Sequence, residues 1–293
     1  MSVRKILVPL AGRPADDEVL ATALSVAREF DAQLVALFAR ADPTEALPYL
    51  GDGVSGQVIE DLMQAAREGA NEAASRVKAS LVKAAAAAGI PMAEKGGEAE
   101  MPSVRFLDVT GRRDEVVAKH SRLSDLIVFG ESATGIAGGT ALEAAMMTAD
   151  RPVLIAPKKA MSAVGGSVCI GWDDSPEASS AVMASIPFLE RAKNVTILCI
   201  GGKELDPGPG STLADFLALH GVVADVHLVD AAGRAPGEVL LEHAEKARAD
   251  MLVMGGYGHS RIVEFLFGGV TQHVRSHATI PVLMAHWRNT ETS

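Results

Sequence analysis

The chain has 293 residues, 48% of them hydrophobic and 4% aromatic, with a formal net charge of -10. That apolar content excludes a largely disordered chain, and the acidic balance excludes a general surface for nucleic acid or anionic membrane, both of which need a basic footprint. The 2 cysteines, Cys169 and Cys199, exclude a disulfide framework; with no signal peptide and no membrane-spanning apolar run expected, the expected location is cytoplasmic.

At this length two domains are expected, and in chain order they read as two copies of one pattern. The first copy has short Val/Ile/Leu runs at about 4–10, 33–39, 104–109, 125–130 and 152–156. They are apolar on both faces, as buried parallel strands are. Between the second and third runs, residues 56–88 are polar, Ala-rich and helically spaced, which predicts one long helix. Periodicity is lost over 157–166, the expected connection. The second copy has its runs at about 167–172, 195–200, 225–229, 250–255 and 281–285. Ser175-Pro176-Glu177 is a helix start, with Ser as cap, Pro in the first turn and an acid near the positive dipole end.

The copies match in order. Ile6-Leu7-Val8-Pro9-Leu10-Ala11 matches Val168-Cys169-Ile170-Gly171-Trp172-Asp173, and Gly111-Arg112 matches Gly233-Arg234. Ser124-Asp125-Leu126-Ile127-Val128-Phe129-Gly130 matches Ala249-Asp250-Met251-Leu252-Val253-Met254-Gly255, and Arg151-Pro152-Val153-Leu154 matches Ile280-Pro281-Val282-Leu283. Strands alternating with helices predict parallel sheets with right-handed crossovers. Ligands of such sheets bind beyond the carboxyl ends of the strands. There the second copy carries Gly255-Gly256-Tyr257-Gly258-His259-Ser260 and, further on, Gly268-Gly269-Val270-Thr271. Glycines between a strand and a helix either make tight turns or let the backbone approach an anionic group, most simply a phosphate, held by free helix N–H groups.

Gly255-x2-Gly258-x9-Gly268 resembles the phosphate-binding signature of ATP-binding universal stress proteins. Val168 to Ala178 resembles that family's first strand with its terminal aspartate, and Ala249 to Gly255 and Ile280 to Met284 resemble its fourth and fifth strands. The resemblance covers nearly the whole chain as a tandem. It implies an α/β fold of two Rossmann-like (adenine nucleotide alpha hydrolase-like) domains, each a five-stranded parallel sheet with helices on both faces. The expected boundaries are 1–158, a linker at 159–166, and 167–288. It also implies an adenine nucleotide, ATP, with Mg as an ion carried on its phosphates. Asp173 would accept from the adenine amino group, Ile200 would contact the base, and Met254 and Gly255 would lie along the nucleoside. Gly258 would let the chain pass the phosphates, His259 would touch them, and Gly268, Gly269, Val270 and Thr271 would offer backbone N–H groups and one hydroxyl. Gly269 departs from the signature, which has Ser or Thr there.

The first copy departs further. Ala11 stands at the aspartate position and Ala133 at the second glycine, Glu131 adds an anion, and Gly139-Thr140 survives as a fragment over a shorter interval. It reads as a degenerate site and a structural partner. The implied role is a regulatory stress-response protein, not an enzyme, with at most slow ATP hydrolysis, since Arg261 alone resembles an arginine finger. The alternative is a nucleotide-independent dimeric scaffold of the same family. An adenylyl transferase or ATP pyrophosphatase would need a His-x-Gly-His or Ser-Gly-Gly-x-Asp-Ser motif after the first strand, and Gly171-Trp172-Asp173-Asp174-Ser175 is neither. The resemblance further implies pairing of 152–156 with 281–285 as an internal pseudo-dimer, and a homodimer of chains. His273 and His277 share a helix face without a third metal ligand. Cys169 and Cys199 lie on strands expected to be neighbours, with their thiols close. Asp125 and Asp250 have turn or capping roles, Met146 and Met147 pack, and Pro207-Gly208-Pro209-Gly210-Ser211 is expected to be a flexible connection.

Overall fold

The computed structural model describes residues 2–42, 55–95, 100–130, 139–201, 208–256 and 269–286. The N-terminal half runs β1 (Lys5–Leu10), α1 (Asp16–Glu29), β2 (Gln33–Arg40), α2 (Gly56–Ala88), β3 (Ser103–Thr110), α3 (Arg113–Ser121), β4 (Leu126–Gly130), α4 (Gly139–Glu143, continued by a π-helical turn, Ala144–Thr148) and β5 (Val153–Ala156). The C-terminal half repeats it as β6 (Ser167–Gly171), α5 (Pro176–Leu189), β7 (Asn194–Gly201), α6 (Gly208–Leu219), β8 (Asp225–Asp230), α7 (Pro236–Lys246), β9 (Met251–Gly255), α8 (Gly269–His277) and β10 (Val282–Ala285).

All ten strands form one sheet in the order β3-β2-β1-β4-β5-β10-β9-β6-β7-β8. Within each half the pairing is parallel. At the seam β5 and β10 run antiparallel, with Leu283 opposite Leu154, so an internal pseudo-two-fold joins the halves. Helices α1, α2, α5 and α6 pack on one face and α3, α4, α7 and α8 on the other. The central strands are buried on both faces, which is why they read as unbroken apolar runs. Near the junction Phe30, which follows α1, meets the Phe188 ring of α5 edge-on at 4.7 Å, with the Arg191 guanidinium 4.5 Å from the Phe30 centroid.

The long helix expected at 56–88 is α2. Ser55 caps it, its hydroxyl accepting from the Val58 amide at 3.4 Å, and Gly89 ends it at φ 69°. Its buried stripe is Ala74, Val77, Leu81 and Ala85, so one narrow face touches the body. Arg40 at the end of β2 binds Asp108 of β3 at 2.6 Å and Asn71 of α2, tying the helix to the sheet.

Asp125 and Asp250 precede β4 and β9 and do the same work in each half. Asp125 accepts from the Arg4 and Lys5 amides, both at 2.9 Å. Asp250 accepts from the Gly165, Gly166 and Ser167 amides at 2.9, 3.1 and 3.0 Å. Each carboxylate thereby holds the entrance of its half's first strand. The segment between β5 and β6 lies against α1, where the Thr22 hydroxyl accepts from the Met161 amide and the Ser25 hydroxyl donates to the Ser162 carbonyl.

Two expectations need correction. The thiols of Cys169 and Cys199 are not together. Cys169 pairs with Thr196, so Cys199, three residues further along β7, faces the other side of the sheet. The two sit in different core clusters, and burial pushes the Cys169 thiol up to about 12 and the Cys199 thiol upward too. From Gly208 the supposed flexible connection is already the first turn of α6. Gly210 is what lets that turn descend on the sheet, since a side chain there would lie 2.8 Å from Val226 and 2.9 Å from Cys199.

Candidate functional site

The strand order turns back between β6 and β9, and a cavity of about 270 Å³ opens there beyond the carboxyl ends of the strands. Leu198 and Ile200 of β7 and Met254 and Gly255 of β9 line its base. Pro236 and Leu240 of α7 and Val270 and Thr271 of α8 form one wall, and Trp172, Asp173, Ser175 and Glu177 the other.

Local chemistry sets each group. Trp172 is buried, and its indole N–H donates to the Pro209 carbonyl at 3.1 Å, so the ring is a fixed wall. Asp173 is exposed, and its Oδ1 accepts from both the amide (3.1 Å) and the hydroxyl (2.6 Å) of Ser175. Ser175 Oγ in turn accepts from the Ala178 amide at 3.1 Å as the cap of α5. Asp173 Oδ2 has no hydrogen-bond partner among the described residues and is left for an incoming donor. Across the cavity α8 starts at Gly269. The first amides of any helix lack intrahelical acceptors and carry its positive dipole end. Among the described residues, a Cβ on Gly269 would meet nothing within 4 Å, so this start is open on that side. Among the described lining residues there are two carboxylates and no Lys, Arg or His.

The corresponding place in the N-terminal half is organised differently. The loop after β1 has its Ala11, Gly12 and Arg13 amides all donating to Asp16 Oδ2, at 3.0, 2.7 and 3.2 Å. Burial pushes the Asp16 carboxyl upward, opposed by those amides and by Arg113. Helix α2 closes over the same loop, with Val77 and Ala73 within 3.6 Å of where a Gly12 side chain would start. That half fills its own anion nest with its own carboxylate.

Residues 211–286 match the sequence profile described as the universal stress protein family. A universal stress protein of Synechocystis is 26% identical over 207 residues, 64% of this chain and 66% of that protein. The stress response protein NhaX of Bacillus subtilis is 37% identical over 49 residues, 17% of this chain and 30% of that one. The crystal structure of a universal stress protein from Archaeoglobus fulgidus superposes with a TM-score of 0.67 at 15% identity, covering 99% of this chain and 98% of that one. Residues 211–286 are thus similar to the universal stress protein family, and the whole chain shares the fold of that Archaeoglobus protein. The fold likeness spans both halves of the chain, whereas the profile match lies in the C-terminal half alone.

Of the sequence-derived site residues, Asp173, Ile200, Met254, Gly255, Val270 and Thr271 line one cavity, and Gly269 starts the helix beside it. Gly258, His259 and Gly268 lie outside the described residues, as do Arg261, Glu131 and Ala133. The reason for glycine at 255 is a packing one. A Cβ there would lie 2.8 Å from the Ala178 nitrogen and 2.9 Å from the Glu177 carbonyl carbon, so Gly255 makes room for the start of α5. Sequence reasoning missed Glu177, Pro236 and Leu240 as cavity residues; Glu177 reads in sequence only as an acid in the first turn of a helix. His273 and His277 stack at 4.2 Å on α8, and no cluster of three or more metal-binding side chains occurs among the described residues. None of the described helices is long and apolar enough to cross a membrane.

Proposed function

We propose that this chain is a universal stress protein whose C-terminal half binds an adenine nucleotide, ATP, in the cavity beyond β6, β7 and β9, and that occupancy regulates its part in a stress response. The observation that carries the reading is the convergence on one cavity of Asp173, an apolar base-sized slot and the open start of α8. The residues fit the ligand. Ile200, Leu198, Leu240 and Trp172 offer apolar surface to a purine, and Asp173 Oδ2 is an acceptor for its amino group. The first amides of α8 and the Thr271 hydroxyl are donors for phosphate oxygens. Mg carried on the phosphates would lower the ligand's own negative charge and so its repulsion from Asp173 and Glu177. The N-terminal half, with Ala11 in place of the aspartate and Asp16 in its loop, is the structural partner.

Equilibrium dialysis against ATP with wild type, Asp173→Ala and Gly269→Ser tests this. Asp173→Ala removes a charge-assisted hydrogen bond and weakens binding about tenfold or more. Gly269→Ser adds a hydroxyl where there is open space and tightens binding about fivefold, the equivalent of one neutral hydrogen bond. Wild-type protein that retains no ATP at millimolar concentration overturns the reading.

A further inference from the structure

Glu177 has unusual surroundings. It is 6% exposed, it lines the cavity, and its Oε2 is buried with no hydrogen-bond partner. Its Oε1 takes none among the described residues either. A carboxylate with one oxygen shut away from water and left unpaired destabilises a fold. The start of α5 offsets part of that through its dipole, but a dipole alone does not require the side chain to be buried against a cavity. Such a group is retained at a cost when a ligand supplies its missing donors.

The position says which donors. The apolar slot and Asp173 lie toward the β6–β7 side, and the open helix start of α8 follows β9. Glu177 lines the same cavity, its main chain and Cβ packed at Gly255 at the end of β9. A ligand with its base in the slot and its phosphates at α8 lays its sugar across this point. We propose that Glu177 is the sugar-reading residue of the site: its carboxylate accepts from the ribose hydroxyls and selects ribonucleotides over their deoxy counterparts. This rests on the nucleotide reading above and extends it from the base and phosphates to the sugar. A vicinal diol and a carboxylate are matched partners, two donors facing acceptor oxygens.

The experiment measures ATP, 2′-deoxyATP and 3′-deoxyATP binding to the full chain by equilibrium dialysis, for wild type and Glu177→Gln, with melting curves of both free proteins. Wild type is expected to disfavour at least one deoxy ligand by about tenfold or more, because the unfilled acceptor is left unpaired in that complex. In Glu177→Gln that preference falls to within about threefold, and ATP itself binds more weakly. The free variant melts about 2 °C or more higher, since an isosteric amide replaces a carboxyl group with an unpaired buried oxygen. Stability and affinity thus move in opposite directions, which a purely structural glutamate would not produce. Unchanged sugar discrimination in a variant that still binds ATP overturns the assignment of Glu177 and leaves the nucleotide reading standing. A variant with lower melting temperature and unaltered discrimination does the same. Wild type that binds none of the three ligands removes both.

Discussion

Asp250→Ala is expected to cost about 3 kcal/mol of stability, and Asp125→Ala about 1 kcal/mol, although the two residues occupy equivalent places in the repeat. Asp250 accepts from three consecutive amides, Gly165 to Ser167, in a partly buried setting, whereas Asp125 accepts from two amides, Arg4 and Lys5, that are exposed. A hydrogen bond to a charged acceptor contributes about 1.5–3 kcal/mol when water is kept away, and water recovers most of that at an exposed amide. Asp250 also holds the point where the connecting segment enters β6, so its loss loosens the joint between the halves. Urea-unfolding midpoints of the two variants at neutral pH check the order. Equal losses would mean that the clamp contributes no more than an exposed turn.

The second large effect is at Gly255. A methyl group there meets main-chain atoms of α5, the Ala178 nitrogen at 2.8 Å and the Glu177 carbonyl carbon at 2.9 Å. No side chain can rotate away to relieve this, so the first turn of α5 must move as a unit. Overpacking of this kind costs about 1–3 kcal/mol. The same turn carries Ser175 and Glu177 into the cavity, so Gly255→Ala is expected to lower ATP affinity about tenfold or more as well as stability. Gly269→Ala is the control: with nothing within 4 Å of the added Cβ, its stability should change by less than about 0.5 kcal/mol. Melting curves and dialysis on both variants measure this. A Gly255→Ala protein as stable as wild type would show that α5 does not sit where its packing places it.

Much of the architecture is legible in the residues because a parallel strand covered on both faces must be apolar throughout. β1, β4, β5 and β10 therefore announce themselves, and the helical spacing from Gly56 to Ala88 gives α2 its bounds. What the spacing does not carry is which face a residue takes relative to another strand's register. Cys169 and Cys199 illustrate this, since neighbouring strands left their thiols on opposite sides. Glycine is the other blind spot. Gly255 and Gly210 are required by what packs on them, Glu177 and Ala178 in one case and Val226 and Cys199 in the other, and those neighbours are distant in sequence. In the site, Asp173, Ile200 and Met254 were readable as residues at strand ends. Pro236 and Leu240 were not, because they enter the cavity from a helix on the far face. The closing of the N-terminal loop by Asp16 also lay beyond the motif comparison, which registers a missing aspartate at Ala11 but not a carboxylate that folds back onto the loop amides.

Isothermal titration of ATP, with Mg present, into the full chain bears most directly on the division of labour between the halves. One molecule bound per chain, with the heat abolished or greatly weakened by Asp173→Ala, is the expected result. Two molecules per chain, or binding that Asp173→Ala leaves intact, would contradict it.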